Sequence, residues 1–199
     1  MKTVFQSILF SLLIAASGFS QQQYTVDNAS AVTVEGTSTL HNFELTSKTV
    51  SGTILLSPNG SNLTVGKISI AIPVKGLHSG KDGMDENMYE SLNADSHPTI
   101  TFESSSIAAA SANDSGKSEL QVSGVLTING VSKNISMNVA AKQIDGKKYS
   151  FDGSKSLRMS EYGIEPPTMF FGTVKTGDAV TIRFSVTVDN VVSASRAGL

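Results

Sequence analysis

The segment "VTIRFSVTVD" (Val180–Asp189) alternates apolar and polar residues from its first position to its last. Successive side chains of a β-strand point to opposite faces, so a period of two residues predicts a strand with one apolar face and one wet face. The apolar positions of the segment are Val180, Ile182, Phe184, Val186 and Val188. A chain built from such strands is an all-β protein.

The same alternation recurs along the chain and predicts roughly eight antiparallel strands. The apolar positions of these strands are Val32, Val34, Phe43, Leu45, Val50, Ile54, Leu56, Ile68, Ile70, Ile72, Val74, Ile100, Phe102, Leu120, Val122, Leu126, Ile128, Ile135, Met137, Val139, Tyr149 and Phe151. Asn129-Gly130 and Asp145-Gly146 lie between such runs, which predicts hairpins with positive φ angles in their loops. Thr176-Gly177-Asp178 predicts a further hairpin turn.

One apolar face per strand is compatible with either a sandwich of two sheets or a closed barrel. A barrel of about eight strands has an interior that side chains can fill or that can hold one small ligand. Periodicity alone favours neither architecture.

The chain begins with Lys2, an apolar run from Val4 to Ala16, and the small residues Ser17 and Gly18. This layout is typical of a secretory signal peptide and is too short for a membrane span. We therefore expect a signal peptide over residues 1–20, one domain over residues 21–190 and a flexible tail over residues 191–199. The expected location is the periplasm or the secreted fraction.

Composition narrows the partners and the means of stabilisation. The chain has 15 Lys and Arg against 17 Asp and Glu, so it lacks the basic excess typical of nucleic-acid binding. It contains no cysteine, so disulfides cannot stabilise it and core packing must do so.

The segment "GMDENMYESLNADSHPTITF" (residues 83–102) interrupts the strand period. Its apolar residues recur every four positions, which predicts a short helix beginning at Asp82 or Gly83 and ending before Pro98. The apolar stripe consists of Met84, Met88 and Leu92. Asp85, Glu86 and Glu90 are expected on the opposite, solvated face.

An enzymatic alternative rests on the three histidines of the chain, His41, His78 and His97. One of them could act as an acid or base beside Asp82 or Asp85 if they converge at a cavity. None has the spacing of a zinc-binding helix motif, and we expect neither a metal nor a cofactor.

Three segments, taken in order, resemble the YceI-like proteins, which are polyisoprenoid-binding barrels of the lipocalin type. They are "YTVDNASAVTVEGTSTLHNFEL" (24–45), "GMDENMYESLNADSHPTITFESSSI" (83–107) and "LQVSGVLTINGVSKNISMNV" (120–139). The later Met159-Ser-Glu-Tyr162-Gly-Ile-Glu-Pro-Pro167 element resembles one branch of this family. The resemblance covers residues 24–188. Many family members carry Asp-x-His-Leu where this chain has Asp85-Glu86-Asn87-Met88.

The resemblance implies an eight-stranded antiparallel lipocalin-like barrel with one or two short helices at its edge. It also implies a non-enzymatic protein that encloses an isoprenoid or other long-chain amphiphile in an apolar lumen. We expect the ligand to contact Ile54, Leu56, Ile70, Ile72, Met84, Met88, Leu92, Phe102, Leu126, Ile128, Met137, Phe151 and Phe184. Two alternatives remain: an enzyme that uses the same pocket, and an envelope protein-interaction module with a filled barrel. A homodimer is also compatible with the sequence.

Overall fold

The computed structural model describes residues 21–59, 62–112, 117–169 and 172–190. The predicted signal peptide (1–20) and the predicted tail (191–199) lie outside the described residues, as do residues 60–61, 113–116 and 170–171.

The described chain forms twelve β-strands, most of them long. Their bounds are β1 Gln22–Val26, β2 Ala31–Ser38, β3 Asn42–Ser47, β4 Ser51–Asn59, β5 Asn62–Pro73, β6 Leu77–His78, β7 Thr99–Ala112, β8 Lys117–Ile128, β9 Val131–Gln143, β10 Lys148–Arg158, β11 Thr168–Met169 and β12 Val174–Asp189.

Helix is scarce in the described part of the chain. The α-helix α1 spans Asp82–Ser91, at the start that the sequence predicts, and single 3-10 turns cover Val74–Gly76 and Met159–Tyr162. Among the described residues no helix has the length and apolar character needed to cross a bilayer.

The sheet closes on itself through its first strand. β1 pairs with β4 on one side and with the end of β12 on the other, where Val26 lies opposite Val188. The closed ring of eight antiparallel strands has the order β1-β4-β5-β7-β8-β9-β10-β12. β2, β3 and β6 extend the sheet from the other part of β12. The predicted barrel is therefore confirmed, and the sandwich alternative is wrong.

Two predicted turns differ from expectation. Asn129 and Gly130 have φ angles of 50° and 73°, as an Asn-Gly hairpin requires, but Gly146 does not adopt a positive φ. The Asp145 carboxylate instead orders that loop by accepting hydrogen bonds from the Lys147 and Lys148 amides. Residues 176–178 do not form a hairpin, because they belong to an irregularity within β12 where the pairing register with β2 shifts.

One end of the barrel is filled by side chains. The rings of Tyr24 and Tyr149 meet edge to face with their centroids 5.5 Å apart, and Leu56 beside them in the core is 0% exposed. Leu120, Val122 and Val188 are also fully buried there. This packed end supplies the core that a chain without disulfides needs.

The other part of the barrel is hollow. Ile70, Ile182 and Phe184 occupy inward positions of their strands yet are only half-buried, because they border empty space. Alternation thus sets which face is apolar, whereas the depth along the barrel decides whether that face is packed.

We predict that truncation costs more at the packed end than along the hollow part. Leu56→Ala should lower the unfolding free energy by about 2–5 kcal/mol because it leaves a new cavity, whereas Leu157→Ala should cost less, since Leu157 already borders empty space. Urea denaturation of the two ligand-free variants measures both costs. Equal losses would contradict the division of the barrel into packed and hollow parts.

Candidate functional site

The hollow part of the barrel contains two connected compartments. The deep compartment adjoins the packed end and has an empty volume of about 900 Å³, a figure that includes adjoining space open to solvent. Apart from the half-buried Lys155, its walls are entirely aliphatic, aromatic or thioether side chains. They are Val32, Val34, Ile54, Ile68, Ile70, Ile72, Leu77, Ile100, Phe102, Leu126, Ile135, Met137, Val139, Phe151, Ile182, Phe184 and Val186.

The mouth compartment lies under α1 and has an empty volume of about 1090 Å³, again including space open to solvent. It shares Val34, Leu77, Ile100 and Ile182 with the deep compartment, so these four residues form the waist of one lumen. Its polar lining consists of hydroxyl, amide and imidazole groups from Ser38, His41, Asn87, Ser91 and Thr176.

The inward residues of β12 show how long the lumen is. Val186 lies at the deep end, Ile182 at the waist, and Thr176 at the mouth. About ten residues of strand, tilted as in other barrels, span roughly 20–25 Å along the axis. The lumen is therefore long enough to hold an extended chain.

Twelve of the thirteen predicted site residues border this lumen. Ile54, Ile70, Ile72, Phe102, Leu126, Met137, Phe151 and Phe184 line the deep compartment, and Met84, Met88, Leu92 and Ile128 line the mouth compartment. Leu56 lines neither compartment, because it lies within the packed end.

Several lining residues were missing from the predicted set, although the alternation of their strands contained the signal. Ile182 lies two positions from Phe184 and therefore on the same face of β12, and Ile135 lies two positions from Met137 on the same face of β9. Leu77 could not be found in this way, because β6 is only two residues long.

Helix α1 covers the mouth, and its buried anchor is Asp85. This residue was predicted on the solvated face of the helix, and that prediction is wrong: Asp85 is 7% exposed, whereas Glu86 and Glu90 are exposed. Its carboxylate accepts hydrogen bonds from the Ser79 amide at 2.7 Å and the Ser79 hydroxyl at 2.6 Å. Asp85 thus ties the first turn of α1 to the loop that precedes it.

A second set of contacts fixes the same helix. His78 Nδ1 lies 3.2 Å from Asp85 Oδ2, and the Tyr89 hydroxyl donates to the Leu77 carbonyl at 2.8 Å. Burial opposes ionisation of Asp85, but the hydrogen bonds from Ser79 and His78 outweigh it and lower the pKa of the carboxyl. The charged form of Asp85 is therefore the one that holds α1 over the mouth.

The three histidines do not share one site. His41 lies at the mouth, His78 belongs to the Asp85 cluster, and His97 lies against the turn at Gly130. Within the described residues, no group of His, Asp and Glu could hold a metal ion.

Three glycines at inward positions of their strands each lie beneath a phenylalanine ring from a neighbouring strand. A Cβ atom would lie 2.6 Å from Cζ of Phe184 at Gly153 and 2.6 Å from Cζ of Phe102 at Gly124, and at Gly36 it would overlap the ring of Phe43. Because these glycines lack a side chain, the rings can lie against the barrel wall. The three pairs, Gly36/Phe43, Gly124/Phe102 and Gly153/Phe184, therefore widen the lumen.

Comparison with protein families gives one match that spans the barrel. The family model described as "YceI-like domain" matches residues 24–188 of this chain. No curated protein sequence matches the chain.

Solved structures share the fold at low sequence identity. BcnA of Burkholderia cenocepacia is 24% identical, with a TM-score of 0.66 over 81% of this chain and 98% of its own. A polyisoprenoid binding domain from Saccharophagus degradans is 14% identical, with a TM-score of 0.65 over 84% of this chain and 98% of its own. The Campylobacter jejuni YCEI protein is 20% identical, with a TM-score of 0.55 over 70% and 80%.

We predict that Gly36→Ala narrows the mouth compartment. The three atoms nearest to the new methyl group all belong to the Phe43 ring, so the ring would have to move. Because Phe43 lines the mouth compartment, we expect the ring to move into the lumen. Binding of the apolar probe N-phenyl-1-naphthylamine, followed by fluorescence, should weaken by about fivefold, or about 1 kcal/mol of binding free energy, because the displaced ring takes space from the probe. Adding Phe43→Leu should restore binding; failure to do so would show that Phe43 is not the cause.

We also predict an acid-sensitive contribution from Asp85. Since its pKa is lowered on folding, its stabilisation is complete above a pH of about 4 and disappears as pH falls through the lower folded pKa. Asp85→Asn should lower the unfolding free energy by about 1–3 kcal/mol at neutral pH and by less at pH 3. Glu86→Gln, on the exposed side of the same helix, is the control and should have little effect. A constant difference between wild type and Asp85→Asn across this range would refute the prediction.

Proposed function

Because the chain belongs to the YceI-like domain family, we propose that it is a binding protein that encloses one isoprenoid or other long-chain amphiphile in its lumen. The observation that carries this proposal is the lumen itself, which is long and lined almost entirely by apolar side chains. The name of the Saccharophagus degradans domain, which describes polyisoprenoid binding, supports the same class of ligand.

The energetics of such a ligand fit the lining. Transfer of each methylene group from water to an apolar site contributes roughly 0.8 kcal/mol, so ten to twenty buried carbons offer on the order of 8–16 kcal/mol before the costs of binding. Since burial of the chain alone can supply this free energy, recognition of the chain does not require many polar contacts. The polar groups of the mouth can then orient a ligand rather than provide most of its affinity.

We propose that the protein acts without catalysis. The deep compartment offers no acid, base or nucleophile other than Lys155, and the histidines have separate surroundings. The interaction-module alternative assumed a filled barrel, and the lumen gives it no support. The homodimer stays a prediction.

The proposed site of action is the periplasm or the extracellular space. The N-terminal sequence, with Lys2 followed by an apolar run and small residues, supports export of the barrel domain. In that compartment a carrier of this kind would shield a lipid from water during transport or storage.

We predict that the apolar stripe of α1 retains the ligand and that its outer face does not. Met88→Asp should weaken binding of farnesol by at least tenfold, because the new carboxylate enters the apolar mouth, where Met88 is 8% exposed. Glu90→Ala, on the exposed face of the same helix, is the matched control and should bind normally. Titration of the two folded variants measures the difference, and equal losses would argue against a lumen-facing role for Met88.

We further predict that the purified protein can carry a lipid. Extraction with organic solvent followed by mass spectrometry should release a long-chain compound, or the emptied protein should take up farnesol at one equivalent. A barrel that neither contains nor binds any long-chain compound would overturn the proposed function.

A further inference from the structure

The pairing between β9 and β10 covers only one part of these two strands. Only the stretch from Val139 to Gln143 of β9 pairs with β10, opposite Tyr149–Gly153. Residues 131–138 of β9 pair only with β8, and residues 154–158 of β10 pair only with β12. We call these two unpaired edges the seam.

Both ends of the seam are fixed. At the deep end the strands are joined by the pair of Gly153 with Val139. At the mouth end the Asn129 side chain donates hydrogen bonds to the carbonyls of Tyr162 and Gly163, each at 3.3 Å. The opening between these points is therefore part of the architecture and not a frayed strand end.

The seam borders the lumen directly. Ile135 and Met137 of one edge and Lys155 of the other line the deep compartment, and all three side chains are half-buried. The deep compartment therefore extends to the seam, and a molecule bound in it would lie beside both unpaired edges.

The two strands at the seam carry cations at positions where the barrel elsewhere presents apolar groups. Lys155 lies an even number of positions from Phe151 and Leu157, so it is on the inward face of β10. Lys133 is on the inward face of β9 for the same reason, since it lies an even number of positions from Ile135 and Met137. A buried ammonium in an apolar lumen would be costly. Lys155 avoids this cost because its Nζ reaches the seam and donates to the Ser136 carbonyl at 2.9 Å.

The charge of the seam has one sign. Residues 131–138 and 154–158 include Lys133, Lys155 and Arg158 and contain no Asp or Glu. Arg158 already pairs with Asp178 at 3.6 Å. Lys155 uses one of its three donors on Ser136 and keeps two for another acceptor.

Resting on the proposed function, we propose that the ligand is an anionic amphiphile whose carboxylate or phosphate head group lies in the seam against Lys155. Its chain occupies the lumen, and the aliphatic part of the same lysine contributes to the wall of the deep compartment. The apolar lumen then selects the chain, and the seam selects the sign of the head group.

The test compares two ligands of equal chain length, myristate and 1-tetradecanol, as competitors of the neutral probe N-phenyl-1-naphthylamine at pH 8. Lys155→Gln should weaken myristate by about three- to tenfold, the range expected for a partly exposed charge-assisted contact, and leave tetradecanol unchanged. Lys155→Arg should keep the preference for the acid. Lys142→Gln, an exposed position of β9 beyond the seam, is the control and should alter neither ligand.

The possible results distinguish the role of Lys155 from the proposed function. Equal loss of both ligands in Lys155→Gln would show a structural role for the lysine, and an unchanged preference for myristate would place the head group elsewhere, such as at the mouth; either result overturns the proposal. If neither ligand displaces the probe from the wild-type protein, the proposed function itself fails, independently of Lys155. Higher salt should reduce the preference for myristate in the wild type.

Discussion

The pairing of β1 with both β4 and β12 is the constraint on which the rest of the molecule depends. A sheet of strands with one apolar face must bury that face, and here closure into a ring buries it against itself. Lys148 supports the junction, since its Nζ lies 2.6 Å from Asp27 and 3.5 Å from Asp189. Once the ring is closed, the inward residues of its strands, together with those of β2, β3 and β6, form the wall of a lumen.

The same wall serves stability at one end and binding at the other. Around Tyr24, Tyr149 and Leu56 the inward side chains fill the barrel, so this end can provide the packing free energy. Toward the mouth, Gly36, Gly124 and Gly153 allow phenylalanine rings to lie against the wall, and the space stays open. An empty apolar lumen forgoes contacts in the unliganded protein, and a long-chain ligand would restore them.

Much of this architecture could be predicted from the sequence because its signals are local. The two-residue period of Val180–Asp189 fixes the lumen-facing side of β12, and the four-residue period of Met84, Met88 and Leu92 places α1 over the mouth. Other features depend on contacts between distant segments, which no local pattern contains. Burial of Asp85 arises from the loop at Ser79, and the bulge after Thr176 arises from pairing with β2.

The position of a residue along the barrel axis cannot be predicted from the alternation of its strand. Leu56 and Ile54 have the same parity on β4, yet Ile54 borders the lumen and Leu56 lies in the packed end. The two-residue period identifies the inward face of a strand, but it does not show at which depth the packed end gives way to the lumen. Lys155 breaks the apolar pattern of the inward face. Its hydrogen bond to the Ser136 carbonyl across the seam explains the exception, and that contact depends on how β9 and β10 pair.

NMR of the methionine methyl groups tests directly whether a chain-like ligand occupies the lumen along its length. Met84, Met88 and Met159 line the mouth compartment, and Met137 lines the deep one. On titration with geranylgeraniol, we expect the methyl signals of Met137 and Met88 to shift together and to saturate at one equivalent of ligand. Saturating binding that leaves both signals unchanged would contradict it, because the ligand would then lie outside the barrel.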